Sequence, residues 1–350
     1  MSADTGARGT ATDPIRLGTR ASLLATTQSG TVADALRAAT GREVVLVEIT
    51  TDGDVLTGPL AQLGGTGVFV AALRDALLRG DCDIVVHSMK DLPTGEVEGL
   101  RIGAVPPRAP ARDALCARDG LTLADLPHAA VVGSGSPRRV AQLLRARPDL
   151  QVRGIRGNVD TRLRKVDEGQ YDAIVLAEAG LTRIGRIDRI TELFDDGRWP
   201  ASAGQGALAV EVRDGDPLAA DLAALTDADS AITALLERAV LRRLEAGCAA
   251  PVGIGARVVG LGDAAVAHPP LVAATDAGTR PIGTDDAART VALVAEVYAL
   301  DGTRSVRVER VVDHAAVVDD AGRDAVAAGV VAELLARGAG ELADLAGSGR

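Results

Sequence analysis

Residues 129–180 read AAVVGSGSPRRVAQLLRARPDLQVRGIRGNVDTRLRKVDEGQYDAIVLAEAG. In this stretch a short apolar run gives way three times to a run with helical periodicity. AAVVGSG reads as a strand, PRRVAQLLRAR as a helix, LQVRGI as a strand and VDTRLRKVDEG as a helix, and YDAIVLAEAG passes from strand into helix. Short strands alternating with amphipathic helices form parallel pairs through right-handed crossovers, so the stretch is the heart of an α/β lobe.

The same plan precedes it. IRLGT (15–19) reads as a strand, SLLATTQSGTVADALRAAT (22–40) as a helix and EVVLVEIT (43–50) as a strand. VFVAALRDALLRG (68–80) is a helix ending at Gly80, and DIVVHS (83–88) is a buried strand. Two units of this kind in tandem predict two lobes facing a cleft. After Gln205 and Gly206, ALAVEVR (207–213) reads as a strand returning to the first lobe. From about residue 225 the pattern changes: a helix over 230–246, then GIGARVVG, VALVAEVYALDG and RSVRVERVV as strands, then a closing helix over 321–345. That is an α+β domain with an antiparallel sheet. The expected boundaries are a disordered lead-in over 1–14, a first lobe over 15–108 plus about 200–220, a second lobe over 109–199, and a third domain over 225–350. Within the last, about 262–290 is rich in Gly, Ala, Pro and Asp and reads as a surface insertion.

With 350 residues, 47% of them hydrophobic and 25% charged, the chain has room for two or three domains. No apolar run is long enough to span a bilayer, and the first residues lack the features of a signal peptide, which predicts a cytoplasmic protein. The net charge of −10 argues against nucleic acid, whose binding rests on neutralising phosphates, and five aromatic residues are too few for a stacking platform. Cys82 and Cys116 read as buried strand residues, no C-x-x-C pair occurs, and the four histidines show no metal-ligand spacing, so no metal is expected. Only Lys90 and Lys165 are lysines; every other basic side chain is arginine.

Where those arginines fall is informative. GSGSPRRV (133–140) joins a strand to a helix with Pro137 at its first position. Ser134, Ser136, Arg138 and Arg139 would face one anion there, since cations at a helix N-terminus oppose its dipole unless something negative binds. Arg156 and Arg162 recur at the next crossover, Arg183 after the following strand, and Arg20 and Ser22 after the first. Arginine at one topological position in several crossovers points to a cleft for carboxylates or phosphates. DIVVHS delivers Ser88, Lys90 and Asp91 at its carboxyl end, where open sheets bind ligands; the Lys–Asp pair is either a solvated ion pair or part of a site. Nucleotide motifs are absent: GGTGVF lacks the G-x-G-x-x-G spacing, and no P-loop occurs. A two-lobed anion-binding module without catalysis would share this architecture, and a pyridoxal Schiff base on Lys90 is an alternative that no other residue supports. The lone Cys248, in a small-residue loop between the 230–246 helix and the next strand, is a buried inert thiol or a nucleophile.

In order along the chain, RLGTRAS, GPLAQLGGTGVF, DIVVHSMKDLP, GSPRR, IRGNVDTRLRKVDEGQYDAIVLAEAGLTRIG, GQGALAVEVR and LEAGCAAPVG resemble the signatures of the porphobilinogen deaminase (hydroxymethylbilane synthase) family. The resemblance covers about residues 15–261 and resumes over 291–345. It implies an α/β fold of two periplasmic-binding-protein-like lobes with mixed, mostly parallel sheets, plus a C-terminal α+β domain with an antiparallel sheet. It also implies a transferase of tetrapyrrole and haem biosynthesis. Such an enzyme condenses four porphobilinogen molecules head to tail onto a dipyrromethane cofactor, releasing ammonia each time, and frees hydroxymethylbilane. Cys248 would carry the cofactor through a thioether. Asp91 would be the catalytic carboxylate beside the pyrrole nitrogens. Ser88, Lys90, Asp91, Ser134, Ser136, Arg138 and Arg139 would hold the cofactor, and Arg20, Ser22, Arg156, Arg162 and Arg183 would bind substrate or the growing chain. The family further implies a monomer that hands its product to uroporphyrinogen-III synthase. Two positions depart from the pattern: Thr66 stands where many members have lysine, and Gly135 replaces a hydroxyl residue.

Overall fold

The computed structural model of the chain describes residues 13–50, 67–246, 250–260, 289–343 and 345. The expected lead-in (apart from Asp13 and Pro14), Thr66, Cys248 and nearly all of the 262–290 insertion lie outside these residues. The chain divides into two units, one running to Pro107 and taking in Leu208–Asp227, the other holding Arg108–Ala207 and the chain from Ala228 onward.

In the first unit, β1 (Ile15–Thr19), α1 (Leu23–Thr40), β2 (Val44–Glu48), α2 (Gly67–Arg79), β3 (Ile84–Ser88) and β4 (Leu100–Ala104) follow in turn. β10 (Leu208–Arg213) returns to complete a sheet of order β2-β1-β3-β10-β4. The return strand expected from ALAVEVR is therefore present, inserted antiparallel with Val210 opposite Val86. Successive side chains of β3 face opposite ways. Ile84 and Val86 pack with Val32, Ala33 and Leu36 of α1, while Val85 packs with Leu73, Ala76 and Leu77 of α2, so a helix covers each face. A buried carboxylate ties these layers together: Glu211 of β10 takes two hydrogen bonds from Arg74 Nε and a third, of 2.7 Å, from Arg74 Nη2. His87 Nε2 lies 3.0 Å from the same carboxylate, off the line of a straight hydrogen bond. Burial alone would raise the pKa of Glu211; His87 and Arg74 outweigh it and hold the group down at about 2.

The second unit repeats the plan. It contains β5 (Asp113–Ala117), β6 (Val131–Gly133), α3 (Pro137–Ala146), β7 (Gln151–Arg153), α4 (Val159–Asp167), β8 (Ala173–Ala177), α5 (Glu178–Arg183) and the short β9 (Glu192–Leu193). Its order, β7-β6-β8-β5-β9, again has an antiparallel strand in fourth place. Both lobes thus have the expected mixed, mostly parallel sheets: in each, four strands run one way and a single strand runs against them, giving two parallel and two antiparallel pairs. The chain must cross back once in each lobe, and the crossing strand pairs antiparallel on both sides.

The rest of the second unit is the α+β part. α6 (Ala228–Arg243) and α7 (Asp320–Ala336) cover one face of an antiparallel sheet of order β11-β12-β13, formed by Val252–Val259, Thr290–Tyr298 and Ser305–Asp313. Val291, Leu293, Ala295 and Val297 point into that core with Leu236, Val240, Val330 and Leu334. The closing helix is shorter than its periodicity predicts. It ends at Ala336 because Gly338 takes a left-handed φ of 90°, a conformation that stops a helix.

Candidate functional site

Most of the expected ligand-binding residues lie at or just beyond the carboxyl end of a strand or in the first turn of the next helix, and Arg183 closes the short helix after β8. In the first unit β3 ends at Ser88 and turns through one 3₁₀ turn, Met89–Asp91. Met89 is buried and anchors this turn, while Lys90 and Asp91, which follow it, are half-buried. Ser88 exchanges hydrogen bonds with Gln28 of α1, whose Nε2 donates to Ser88 Oγ at 3.0 Å. Among the described residues nothing pairs with the Asp91 side chain, so its carboxylate is not consumed by the fold. Arg20 follows β1. Ser22 is the N-cap of α1, its Oγ accepting from Ala25 N at 3.4 Å, so this hydroxyl has a structural duty that the sequence reading did not assign.

In the second unit the loop between β6 and α3 carries Ser134 and Ser136. Ser134 is buried, and its Oγ accepts from Ser136 N at 3.2 Å. The Ser136 hydroxyl makes no capping bond at the α3 N-terminus. Glycine at 135 lets this loop lie close to Ile155 O, which an added Cβ would meet at 3.3 Å.

Arg138 and Arg139 do not simply face outward from the start of the helix, as an anion loop would have them. They are 2% and 8% exposed and turn inward onto Asp113, the wholly buried first residue of β5. Arg138 Nη1 donates to Asp113 Oδ2 at 2.7 Å and Arg139 Nη2 to Oδ1 at 2.6 Å. Gln205 Nε2 adds a bond of 2.8 Å to Oδ1, and Trp199 Nε1 one of 3.1 Å to Oδ2. Burial alone would raise the pKa of Asp113, yet the two guanidiniums hold it well below the usual carboxylate range. The negative partner that the helix dipole demanded is thus, in part, internal. Two guanidiniums nevertheless share one carboxylate, leaving a surplus positive charge, and Arg139 Nε is buried without an acceptor.

The remaining arginines differ among themselves. Arg156 is exposed in the loop before α4, and Arg162 Nε bonds Gly157 O at 2.7 Å from the first turn of that helix. Arg183, the last residue of α5, donates to Gly206 O at 2.6 Å. It has no carboxylate beside it among the described residues, and burial pushes its pKa down. Gln28, Asp113, Trp199 and Gln205 were missed by the sequence reading. Only Asp113 left a trace there, as a charged residue heading the apolar run ALCA. No three metal-ligating side chains converge among the described residues, and no helix among them is long and apolar enough to cross a membrane.

Known proteins match the sequence along most of the chain. Residues 15–221 match the family model described as porphobilinogen deaminase, dipyromethane cofactor binding domain, and residues 231–266 match the porphobilinogen deaminase C-terminal domain. A porphobilinogen deaminase of Leifsonia xyli is 48% identical over 342 residues, covering 95% of each chain. One from Cutibacterium acnes is 49% identical over 351 residues, covering 96% of this chain and 98% of its own. One from Thermobifida fusca is 56% identical over 253 residues, covering 71% and 78%. Among solved structures, an arginine-specific periplasmic binding protein of Salmonella typhimurium is similar at 16% identity and a TM-score of 0.36, covering 62% of this chain and 93% of its own.

Proposed function

The chain belongs to the porphobilinogen deaminase family, and from that membership we propose how its own residues divide the work. The activity is the head-to-tail condensation of four porphobilinogen molecules with release of ammonia, giving hydroxymethylbilane for tetrapyrrole biosynthesis; the enzyme is a transferase. The cofactor is dipyrromethane, which when bound supplies the pyrrole chain onto which new units are joined.

The donor set fits a group rich in carboxylates. Carrying the reading is the mismatch in buried charge among the described residues: Arg138 and Arg139 share the single carboxylate of Asp113, Arg139 Nε has no acceptor, and Arg183 is desolvated with no carboxylate beside it. Buried guanidinium is costly unless paired, and a ligand carboxylate completes the pairing. Arg138 and Arg139, with Ser134, Ser136, Ser88 and Lys90, hold the cofactor's acetate and propionate groups. Arg20, Ser22, Arg156, Arg162 and Arg183 receive those of the substrate and the lengthening chain. Asp91 is the catalytic carboxylate: as ammonia leaves porphobilinogen, positive charge grows toward the pyrrole nitrogen, and an unpaired carboxylate stabilises that charge and accepts its proton. Cys248 is the thioether tether.

In this reading the protein works in the cytoplasm as a monomer, without nucleic acid or membrane, and passes its product to uroporphyrinogen-III synthase. The unpaired, buried thiols of Cys82 and Cys116 support a reducing compartment. Intact mass tests the tether. The native protein is expected to exceed its sequence mass by two pyrrole units, with the increment and the activity both lost in Cys248→Ala. An unmodified, fully active native protein would refute the tether.

A further inference from the structure

The loop after β7 carries Arg156, and three side chains of the same lobe fix its carbonyl groups. Tyr171 Oη donates to Gly154 O at 2.7 Å, Arg162 Nε to Gly157 O at 2.7 Å and Lys165 Nζ to Arg156 O at 3.2 Å. Asn158 closes the loop as the N-cap of α4, its Oδ1 accepting from Thr161 N at 2.9 Å. Gly157 makes this entry to the helix possible. Its φ is 112°, which residues with a side chain rarely adopt, and a Cβ there would fall 2.7 Å from Thr161 Cγ2.

Arg162 and Lys165 belong to α4, so they tie the loop only to the helix it leads into. Tyr171 comes from the link between α4 and β8 and ties the loop to a second one. Its ring packs against the apolar core that holds Ile155, Leu163 and Ile174. A Cβ on Gly133 would meet Tyr171 Cδ1 at 2.9 Å, so the ring also lies against the last residue of β6, next to Ser134. The two loops touch directly as well. Ser134 N donates to Arg153 O at 2.9 Å, and a Cβ on Gly135 would come within 3.3 Å of Ile155 O. Tyr171 thus braces the place where the loop bearing Ser134 and Ser136 meets the loop bearing Arg156. The apolar packing needs the ring but not the hydroxyl, whose bond to Gly154 O lies at the exposed margin of that core. The hydroxyl therefore answers to loop position more than to folding.

We propose that Tyr171 is a positioning residue for substrate binding, its hydroxyl fixing the 154–158 loop, and with it the root of the Arg156 side chain, against the Ser134 loop. The inference rests on the reading of Arg156 as a partner of substrate carboxylates. A guanidinium grips a carboxylate through two parallel N–H groups only over a narrow range of positions. A loop already held in that range need not be ordered when substrate binds, whereas a loosened one must be. Arg156 meets the carboxylates and not the reacting bond, so loosening its loop weakens ground state and transition state alike. Such a loss raises KM and leaves kcat nearly unchanged.

Tyr171→Phe removes the hydroxyl and keeps the ring. Turnover of porphobilinogen by the cofactor-loaded, full-length enzyme is measured against substrate concentration, alongside the thermal midpoint. The variant is expected to raise KM about three- to tenfold, the range for one modest hydrogen bond, with kcat within about twofold and a midpoint within a few degrees of wild type. Arg156→Lys keeps the charge but loses the fork, and is expected to raise KM on its own. Adding Tyr171→Phe to Arg156→Lys should then change KM by less than about twofold, because a flexible point charge has no fork to misalign. A Tyr171→Phe enzyme with wild-type KM overturns the proposal, as does an effect that persists in full beside Arg156→Lys or one that falls on kcat or the midpoint instead. A Tyr171→Phe chain that does not fold assigns the hydroxyl to stability and overturns it too. Wild-type KM in Arg156→Lys and in Arg156→Leu refutes the arginine reading itself, and the proposal falls with it.

Discussion

Replacing Asp113 by asparagine is expected to bring the second unit close to unfolding, although the two side chains have nearly the same size. The carboxylate is 0% exposed and accepts from four side chains: Arg138 and Trp199 at Oδ2, Arg139 and Gln205 at Oδ1. An amide removes the charge and turns one acceptor into a donor, so one of these pairs of N–H groups would point at an NH₂. Breaking a buried ion pair from one side costs about 3–5 kcal/mol, and a buried donor left unmatched about 1–3 kcal/mol. The contributions overlap, so the expected loss is about 4–6 kcal/mol, against a total of about 5–15 kcal/mol for a typical domain. Trp199 supplies the assay, because the only tryptophan in the sequence donates to Asp113 and stacks on Phe194 with ring centroids 4.2 Å apart. Urea unfolding followed by its fluorescence, wild type against variant, reads the loss directly. The pH dependence adds a second signature. The folded-state pKa of Asp113 is depressed, so its contribution is complete above the unfolded value near 4 and fades as pH falls toward the folded one. The gap between wild type and variant is therefore widest near neutrality and narrows in acid. A loss below about 1 kcal/mol at pH 7, no more than an ordinary hydrogen bond, would show that the cluster is not an ion pair of consequence.

Two other substitutions separate chemistry from folding. Asp91→Asn is expected to fold normally, because nothing among the described residues depends on that carboxylate, while turnover of porphobilinogen falls by roughly 10²–10⁴. Asp91→Glu should keep part of the activity, and an asparagine variant within about threefold of wild type would move the acid–base role elsewhere. Glu211→Gln is expected to cost the first unit about 3 kcal/mol at pH 7, since it leaves Arg74 buried and unpaired. Because the wild-type glutamate is held at about 2, its contribution is present above about 4.5 and is lost as pH falls toward 2. Acid titrations of unfolding should therefore converge for the two proteins, and curves that stay parallel down to pH 2 would contradict the assignment.

The alternation of strand and helix was legible in the sequence because it rests on local periodicity. IRLGT and DIVVHS became β1 and β3 within a residue or two, and the unusual return of ALAVEVR to the first sheet was readable as well. What periodicity does not contain is partnership. β4 and β5 are five residues each and lie in a Pro-, Arg- and Asp-rich stretch that gives no clean period, so β4 was not assigned and β5 was glimpsed only through Cys116. The arginines of SPRR could be located but not matched to Asp113, which precedes them by 25 and 26 residues and meets them only when β5 is laid antiparallel to β8. The hydrogen bond from Gln142 to Tyr298, 156 residues apart, was beyond the reach of any local pattern.

The abundance of arginine hid function in the sequence and helps to expose it in the structure. Arginine forks match carboxylates in two places at once, which suits them to buried ion pairs better than lysine. The chain uses them in that way repeatedly: Arg74 with Glu211, Arg108 with Glu237, Arg112 with Glu178, and Arg138 and Arg139 with Asp113. Glu237 illustrates the economy of these clusters, taking both arms of Arg108 at 2.8 Å and the backbone N–H groups of Gly204 and Ala256 at 2.7 Å. In each of the first three pairs one guanidinium meets one carboxylate, and the charges cancel. Arg138 and Arg139 depart from that rule by sharing Asp113, as Arg145 and Arg307 share Glu296, but only the former pair is wholly buried, and Arg183 has no carboxylate beside it among the described residues. Uncompensated charge in a desolvated place is unfavourable unless a ligand brings the missing anion. A genome rich in arginine explains the paired ones without any reference to catalysis. It does not explain the unmatched ones, and those are the residues proposed above to receive carboxylates of the cofactor, the substrate or the growing chain.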